Sequence, residues 1–171
     1  MKKIIEDLVN DHKLIVSLLD VIDKIDNSKN YEKDYFEKII YVIKNFADKF
    51  HHGKEEEILY PYVVEHKGFS KENGPVAIMF IEHDEGRGYV KKASDELNKA
   101  NSINKDVIIS NLKLYSDLLR GHIYKEDNIL FPMIDNVITD DENEQIFLLY
   151  QIVIKNNKEV IDNSIKHLKE L

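Results

Sequence analysis

The chain contains no cysteine. That excludes disulfides, thiolate metal sites and cysteine nucleophiles. Arginine occurs only at Arg87 and Arg120, among many Lys, Ile and Asn. Glycine and proline are scarce, at 6 and 3 residues, so few positions force a helix to break. No apolar run approaches the ~20 residues of a membrane-spanning helix. The N-terminal stretch MKKIIEDLVNDH begins as a signal peptide would, but Glu6, Asp7, Asn10 and Asp11 interrupt it before an apolar region forms. Basic residues are outnumbered, 24 Lys and Arg against 32 Asp and Glu, for a net charge of −8. Nucleic acid and anionic membranes both select basic surface, so neither is expected as a partner. A soluble cytoplasmic protein is the expectation. No Gly-rich phosphate loop and no Ser/His/Asp constellation occurs, so any catalysis has to belong to a metal centre.

What is present is helical periodicity over nearly the whole chain, and 171 residues suffice for one domain with a real core. A first helix is expected from Lys2 to Asp26, with Leu8, Ile15, Leu19 and Ile22 on one stripe. A second runs from about Lys33 to His66, with Phe36, Ile40, Ile43 and Ala47 inward, and stops at Lys67-Gly68. Pro75 suits the first turn of a third helix, which reads on to about Lys99 through Val76, Met79 or Phe80, Val90 and Leu97. Gly86 and Gly88 weaken its middle and leave room for a close helix approach or for access to a site. The fourth starts near Asn104, carries Ile108, Leu112, Tyr115, Leu119 and Ile129, and ends before Pro132. Thr139 and Glu142 form a capping-box pattern that opens a last helix through Ile146, Leu149, Val153 and Val160. The expected fold is all-α: an up-down four-helix bundle over residues 1–138, with an additional C-terminal helix over 139–171 packed on it or extending from it.

One stretch occurs twice. HHGKEEEILYP, His51 to Pro61, returns as HIYKEDNILFP, His122 to Pro132. His51 aligns with His122, Lys54 with Lys125, Glu55 with Glu126, and Leu59-Tyr60-Pro61 with Leu130-Phe131-Pro132. Each copy has a His and a Glu four residues apart, about 40° apart on one helix face. His12 and His83 lie in the apolar stripes of the other two bundle helices, so all four carry an inward histidine. Facing buried carboxylates are costly unless positive charge sits between them. A pair of metal ions supplies it, and imidazole with carboxylate suits iron, manganese or zinc.

Over about Ile5 to Pro132 the chain resembles the hemerythrin-like, His-His-Glu cation-binding proteins. His12 corresponds to that family's first-helix histidine, and His51 with Glu55 to its second-helix HxxxE. His83 in IEHDEGR matches the third-helix EH segment, and His122 with Glu126 the HxxxE before LFP. The resemblance implies two non-haem iron ions, oxo- or hydroxo-bridged, with zinc or manganese as substitutes. It departs from the oxygen carriers of the family in two places. Arg87 stands where they have a second third-helix histidine, and Asp127 competes with Glu126 under their HxxxxD pattern.

His52 can fill the gap left at Arg87. On a helix it diverges from His51 by about 100°, and Glu55 falls angularly between them. The expected metal ligands are therefore His12, His51, His52, Glu55, His83, His122 and Glu126. His12 and His51 would serve one iron, His52, His83 and His122 the other, with Glu55 and Glu126 bridging. The iron with two histidines would keep the open position. Asp127 reads as a supporting or surface acid, Glu56 and Glu57 as a charged outer face, and Arg87 as an ion-pair residue. Tyr60 and Phe131 read as packing at the end of the core, Tyr89 and Tyr115 as core aromatics, and His66 and His167 as solvated. The resemblance implies binding or sensing of dioxygen or nitric oxide. The alternative is an enzyme acting on peroxide or nitric oxide, or an iron donor in iron–sulfur cluster repair. Repair proteins of this type often carry a cysteine-bearing N-terminal segment, and this chain has no cysteine.

Overall fold

A computed structural model of the protein describes residues 1–100 and 102–171. Six helices account for its regular structure, and among the described residues there is no strand. Helix α1 is Lys3–Asp23. Helix α2 covers residues 33–66 without a break, as the successive segments Lys33–Val42, Ile43–His52, Glu55–Leu59 and Tyr60–His66. Helix α3 is Gly74–Leu97. Helix α4 covers 105–137 as Lys105–Lys125, Glu126–Leu130 and Phe131–Val137. Helices α5, Asp140–Asn156, and α6, Lys158–Glu170, complete the chain.

Local chemistry sets most of the boundaries. The Asn104 side chain accepts the Asp106 and Val107 N–H groups and starts α4. Pro75 occupies the first turn of α3, and the capping box at Thr139 and Glu142 opens α5. Gly68, at φ 74°, adopts the left-handed backbone that lets the chain leave α2.

Three expected boundaries change. The first helix ends at Asp23, although Ile25 beyond it stays buried. The fourth helix does not stop before Pro132 but runs on to Val137. The expected single last helix is two, parted at Asn157. Both fold back on the bundle: α5 lies on α1 and on the Glu55–Leu59 turn, and α6 lies along the first half of α2.

Pro132 is passed because α4, like α2 at Pro61, widens just before its proline. In Glu55–Leu59 and Glu126–Leu130 the backbone bonds i→i+5, as the Tyr60 N–H to the Glu55 carbonyl and the Phe131 N–H to the Glu126 carbonyl. A proline in a regular helix strikes the carbonyl four residues back and leaves it unbonded. A wider turn relieves both faults. It also advances the register: Leu59 and Leu130 are fully buried, whereas Ile129, expected inside, is 48% exposed. Leu149 is also exposed, on the outer face of α5.

The interior is two apolar clusters rather than one. The first gathers Ile15, Leu19, Phe36, Phe46, Leu112 and Leu119 with their neighbours. The second gathers Ile4, Leu8, Leu59, Val76, Leu130 and Ile134. Between them along each bundle helix falls a layer of buried polar side chains that includes His12, His51, His83 and His122. Gly86 is buried against the Tyr115 ring, as the close-approach reading of α3 requires, while Gly88 has open space around it.

Glu142 ties this end of the molecule together. Its carboxylate accepts from the Thr139 backbone, from Lys67 at 2.7 Å and from the Tyr62 hydroxyl at 2.8 Å. Lys67 comes first among these in holding its pKa down to about 2, against 4.5 ordinarily. A carboxylate depressed in the folded state adds stability that is complete above its unfolded value and vanishes as pH falls through the folded one. Glu142→Gln should therefore lower the thermal midpoint at pH 7, and the gap to the parent should close between pH 4.5 and about 2. Melting curves followed by circular dichroism across that range check it; a gap independent of pH would refute it.

Candidate metal centre

The polar layer is made by α1 to α4, each supplying residues from one inward turn. His12, His51, His52, Glu55, His83, His122 and Glu126 are all buried, at 4% exposure or less. Their donor atoms fall into two groups, each within 4.8 Å: His12, His51, Glu55 and Glu126, and His52, Glu55, His83 and His122. Glu55 belongs to both. Glu126 lies in the first group, and its two oxygens approach His12 Nε2 at 3.3 Å and His122 Nε2 at 3.2 Å. His51 and His52 both face inward because Ile43–His52 is wound with i→i+5 bonds, which turn fewer degrees per residue than an α-helix does.

Four of the five imidazoles are held from behind by a carboxylate at Nδ1. Asp127 holds His12 at 2.8 Å, Asp11 holds His51 at 3.2 Å, Glu56 holds His83 at 2.6 Å and Glu82 holds His122 at 3.0 Å. A proton on Nδ1 leaves the Nε2 lone pair for the centre. The anchors obey the sequence repeat. Glu56 and Asp127 are equivalent positions, each directly after the inward Glu and each reaching a histidine on a different helix. Asp11 and Glu82 are equivalent too, each directly before the α1 or α3 histidine. Lys54 and Lys125, again equivalent, pair with those two acids. Glu56 is thus no outer-face charge, in contrast with Glu57, which is exposed.

Three further residues were not legible as parts of the site. The Tyr60 hydroxyl donates to Glu126, a role beyond end-of-core packing. Its partner in the repeat, Phe131, stacks on the His12 ring at 5.7 Å. Lys54 is fully buried, with Asp7 and with Asp11 Oδ2 at 2.6 Å, above the Phe50 ring at 4.6 Å and the Tyr150 ring at 5.3 Å. The equivalence of Lys54 with Lys125 was the available signal, but burial of one copy alone follows from α5 covering it. Arg87 forms ion pairs with Asp48, Glu56 and Asp84, as expected. Tyr89 bonds Glu85 near the surface, and Tyr115 is buried. His66 is exposed, but His167 packs edge-on against Tyr41 rather than standing in solvent.

The electrostatics of the layer are strongly perturbed. Burial and then the Glu126 charge push Glu55 well above the ordinary carboxylate range. Burial acts the same way on Glu126, but His122 and His12 outweigh it and keep that carboxylate ionised. Burial also opposes charge on His12 and His122, yet their acidic partners, Asp127 and Glu126 for the one and Glu126 and Glu82 for the other, raise both to about 9. Burial drives His51 down to about 4 and His52 well down, and it lowers His83. Nε2 atoms meet in pairs, His12 with His51 at 3.1 Å and His83 with His122 at 3.0 Å. Both oxygens of Glu55 and Oε2 of Glu126 are buried with no hydrogen-bond donor. Carboxylate oxygens left unpartnered beside converging imidazole nitrogens fit a metal ion, since a buried unsatisfied acceptor is costly. The donor set has no sulfur.

Fold and site together define a metal-binding helical protein. The family model described as the hemerythrin HHE cation-binding domain matches residues 3–134, and the chain belongs to that family. No curated protein and no solved structure matches the chain.

Lys54 supplies the sharpest test of the surrounding network. Removing the cation from a buried pair leaves acids uncompensated, at a cost of about 3–5 kcal/mol. Lys54→Met should lose stability on that scale in urea unfolding of the metal-free protein. A loss under about 1 kcal/mol, the size of an exposed pair, would show that Asp7 and Asp11 do not depend on it.

Proposed function

We propose that the protein is a non-haem di-iron protein that binds or senses dioxygen or nitric oxide. The observation that carries this reading is Glu55, a fully buried carboxylate with no hydrogen-bond donor on either oxygen, shared by two groups of imidazole donors. His12, His51, Glu55 and Glu126 would hold one ion, and His52, His83, His122 and Glu55 the other. Iron bound there supplies a redox-active centre able to take up a small diatomic.

The chain's own part is positioning and shielding. Asp127, Asp11, Glu56 and Glu82 keep a proton on the outward nitrogen of four imidazoles and fix their rings. Tyr60 holds Glu126 through its hydroxyl, so this carboxylate has one oxygen engaged and one free of donors. Phe131, Leu59 and Leu130 keep water from the His12 side. The layer borders a cavity on the His52 and His83 side, which supports entry of a ligand beside the three-histidine group rather than beside the two-histidine group expected from the sequence to keep the open position. Iron rather than zinc or manganese, and reversible binding rather than peroxide turnover, are the specific content of the proposal.

Stopped-flow spectroscopy of the reduced iron-loaded protein mixed with dioxygen tests it. A charge-transfer band that forms and reverses on deoxygenation is expected. Rapid irreversible oxidation with peroxide turnover would replace binding by catalysis, and natively purified protein without iron would overturn the metal assignment. His52→Ala should lower iron content from two ions per chain towards one or shift the visible bands. Unchanged stoichiometry and spectrum would remove His52 from the ligand set.

A further inference from the structure

Helix α5 carries apolar residues on two faces, and the fold covers only one. Asn143, Ile146 and Tyr150 turn inward and are buried, Tyr150 against Lys54. Leu148 lies about 200° round the helix from Tyr150, with Ile152 about 40° and Leu149 about 100° from Leu148. These three are 60%, 56% and 49% exposed. They adjoin one another on a helix that begins beyond residues 3–134, the stretch matched by the family model. A single exposed aliphatic is ordinary, whereas a contiguous patch rimmed by charge marks an interaction surface.

The charges at the two ends of the patch say what fits it. Asp141 and Glu144 precede it, Lys155 and Lys158 follow it, and all four are exposed. Among the described residues Asp141, Lys155 and Lys158 have no ion-pair partner, and Glu144 has only its exposed pair with Lys3. Glu144 and Lys155 lie about 40° and 20° to one side of Leu148, so both rim the patch. A face that is acidic at one end, apolar in the middle and basic at the other complements itself when reversed. Set antiparallel about a two-fold axis at the level of Tyr150, Leu148 of each copy meets Ile152 of the other, and Glu144 comes level with the other copy's Lys155. We infer that the outer face of α5 docks a second copy of this chain, the two α5 helices pairing antiparallel. An anionic membrane is a poorer match, since interfacial helices are rimmed by basic residues and this chain carries a net charge of −8. One helix face supplies less than the ~1,600 Å² of a standard stable interface, so the dimer is weak and depends on concentration. The metal reading plays no part in the inference.

Sedimentation equilibrium of the full chain reads the assembly. A dimer half formed on the order of 100 µM is expected, in keeping with a small interface. Leu148→Asp combined with Ile152→Asp should leave a monomer throughout, with circular dichroism and metal content unchanged because both side chains are exposed. Lys155→Glu and Glu144→Lys should each weaken the dimer about fivefold by setting like charges against one another. Mixed in equal amounts, those two variants should form a heterodimer of parental affinity, because each opposes the other's altered charge. The proposal is overturned by a parent chain that stays monomeric to about 1 mM, by a dimer that survives the double aspartate change, or by a mixture no tighter than either variant alone. A chain that stays monomeric but floats with phosphatidylcholine vesicles would give the face to a lipid surface and overturn it too. None of these outcomes touches the iron assignment, which is read from metal content and the dioxygen reaction.

Discussion

Two glutamates at the centre of an apolar bundle are the constraint that the rest of the structure answers. Glu55 and Glu126 are fully buried, and between them only Glu126 has a hydroxyl donor. Left alone, such a pair would be among the least favourable features a core could contain. The chain surrounds it with five imidazoles, backs four of those with acids, and pairs two of the acids with lysines. The result is a layer in which charge alternates outward from the centre. The carboxylates want a cation, the histidines present lone pairs to the same cation, and the outer acids make those lone pairs more basic.

That layer is built twice from one template. Lys, Glu and an acid in succession after an inward histidine do three jobs. Lys54 and Lys125 hold an acid on a neighbouring helix, Glu55 and Glu126 face the centre, and Glu56 and Asp127 hold a histidine on another helix. The prolines belong to the template as well. The wide turn that carries each helix past Pro61 or Pro132 begins at the inward glutamate itself. Helix winding and site geometry therefore come from the same few residues, consistent with the tendency of such wide turns to fall at functional sites.

The sequence made the inward layer legible because histidine and glutamate interrupt apolar stripes at fixed spacing. His12, His51, His83 and His122 needed only periodicity, and α2 and α3 were readable from their caps and stops. What escaped falls into three kinds. Glu56, Asp11 and Glu82 look like ordinary surface acids in a chain with 32 of them, and only the three-dimensional crossing of the helices gives them a histidine to hold. The continuation of α4 past Pro132 and the outward turn of Ile129 were hidden because a 3.6-residue period was assumed where the backbone is wider. Lys54 escaped for a third reason: its burial depends on Tyr150, nearly a hundred residues on, in a helix whose placement the local pattern does not encode.

The departures from the repeat are as informative as the repeat. His52 aligns with Ile123, and Tyr60 with Phe131, so the two halves of the centre differ in kind. On one side His12 and His51 are both anchored and closed in by Phe131 and Tyr60. On the other side His52 stacks on His83 at 3.7 Å, has no anchor, and borders the cavity. Arg87 creates this difference by occupying Asp48, the acid otherwise best placed to hold His52. An anchored imidazole is fixed in direction by its acid, whereas His52 is held by burial and by its stacking on His83 alone. The apolar clusters above and below keep the whole layer assembled, so the asymmetry of the repeat is concentrated at this one histidine.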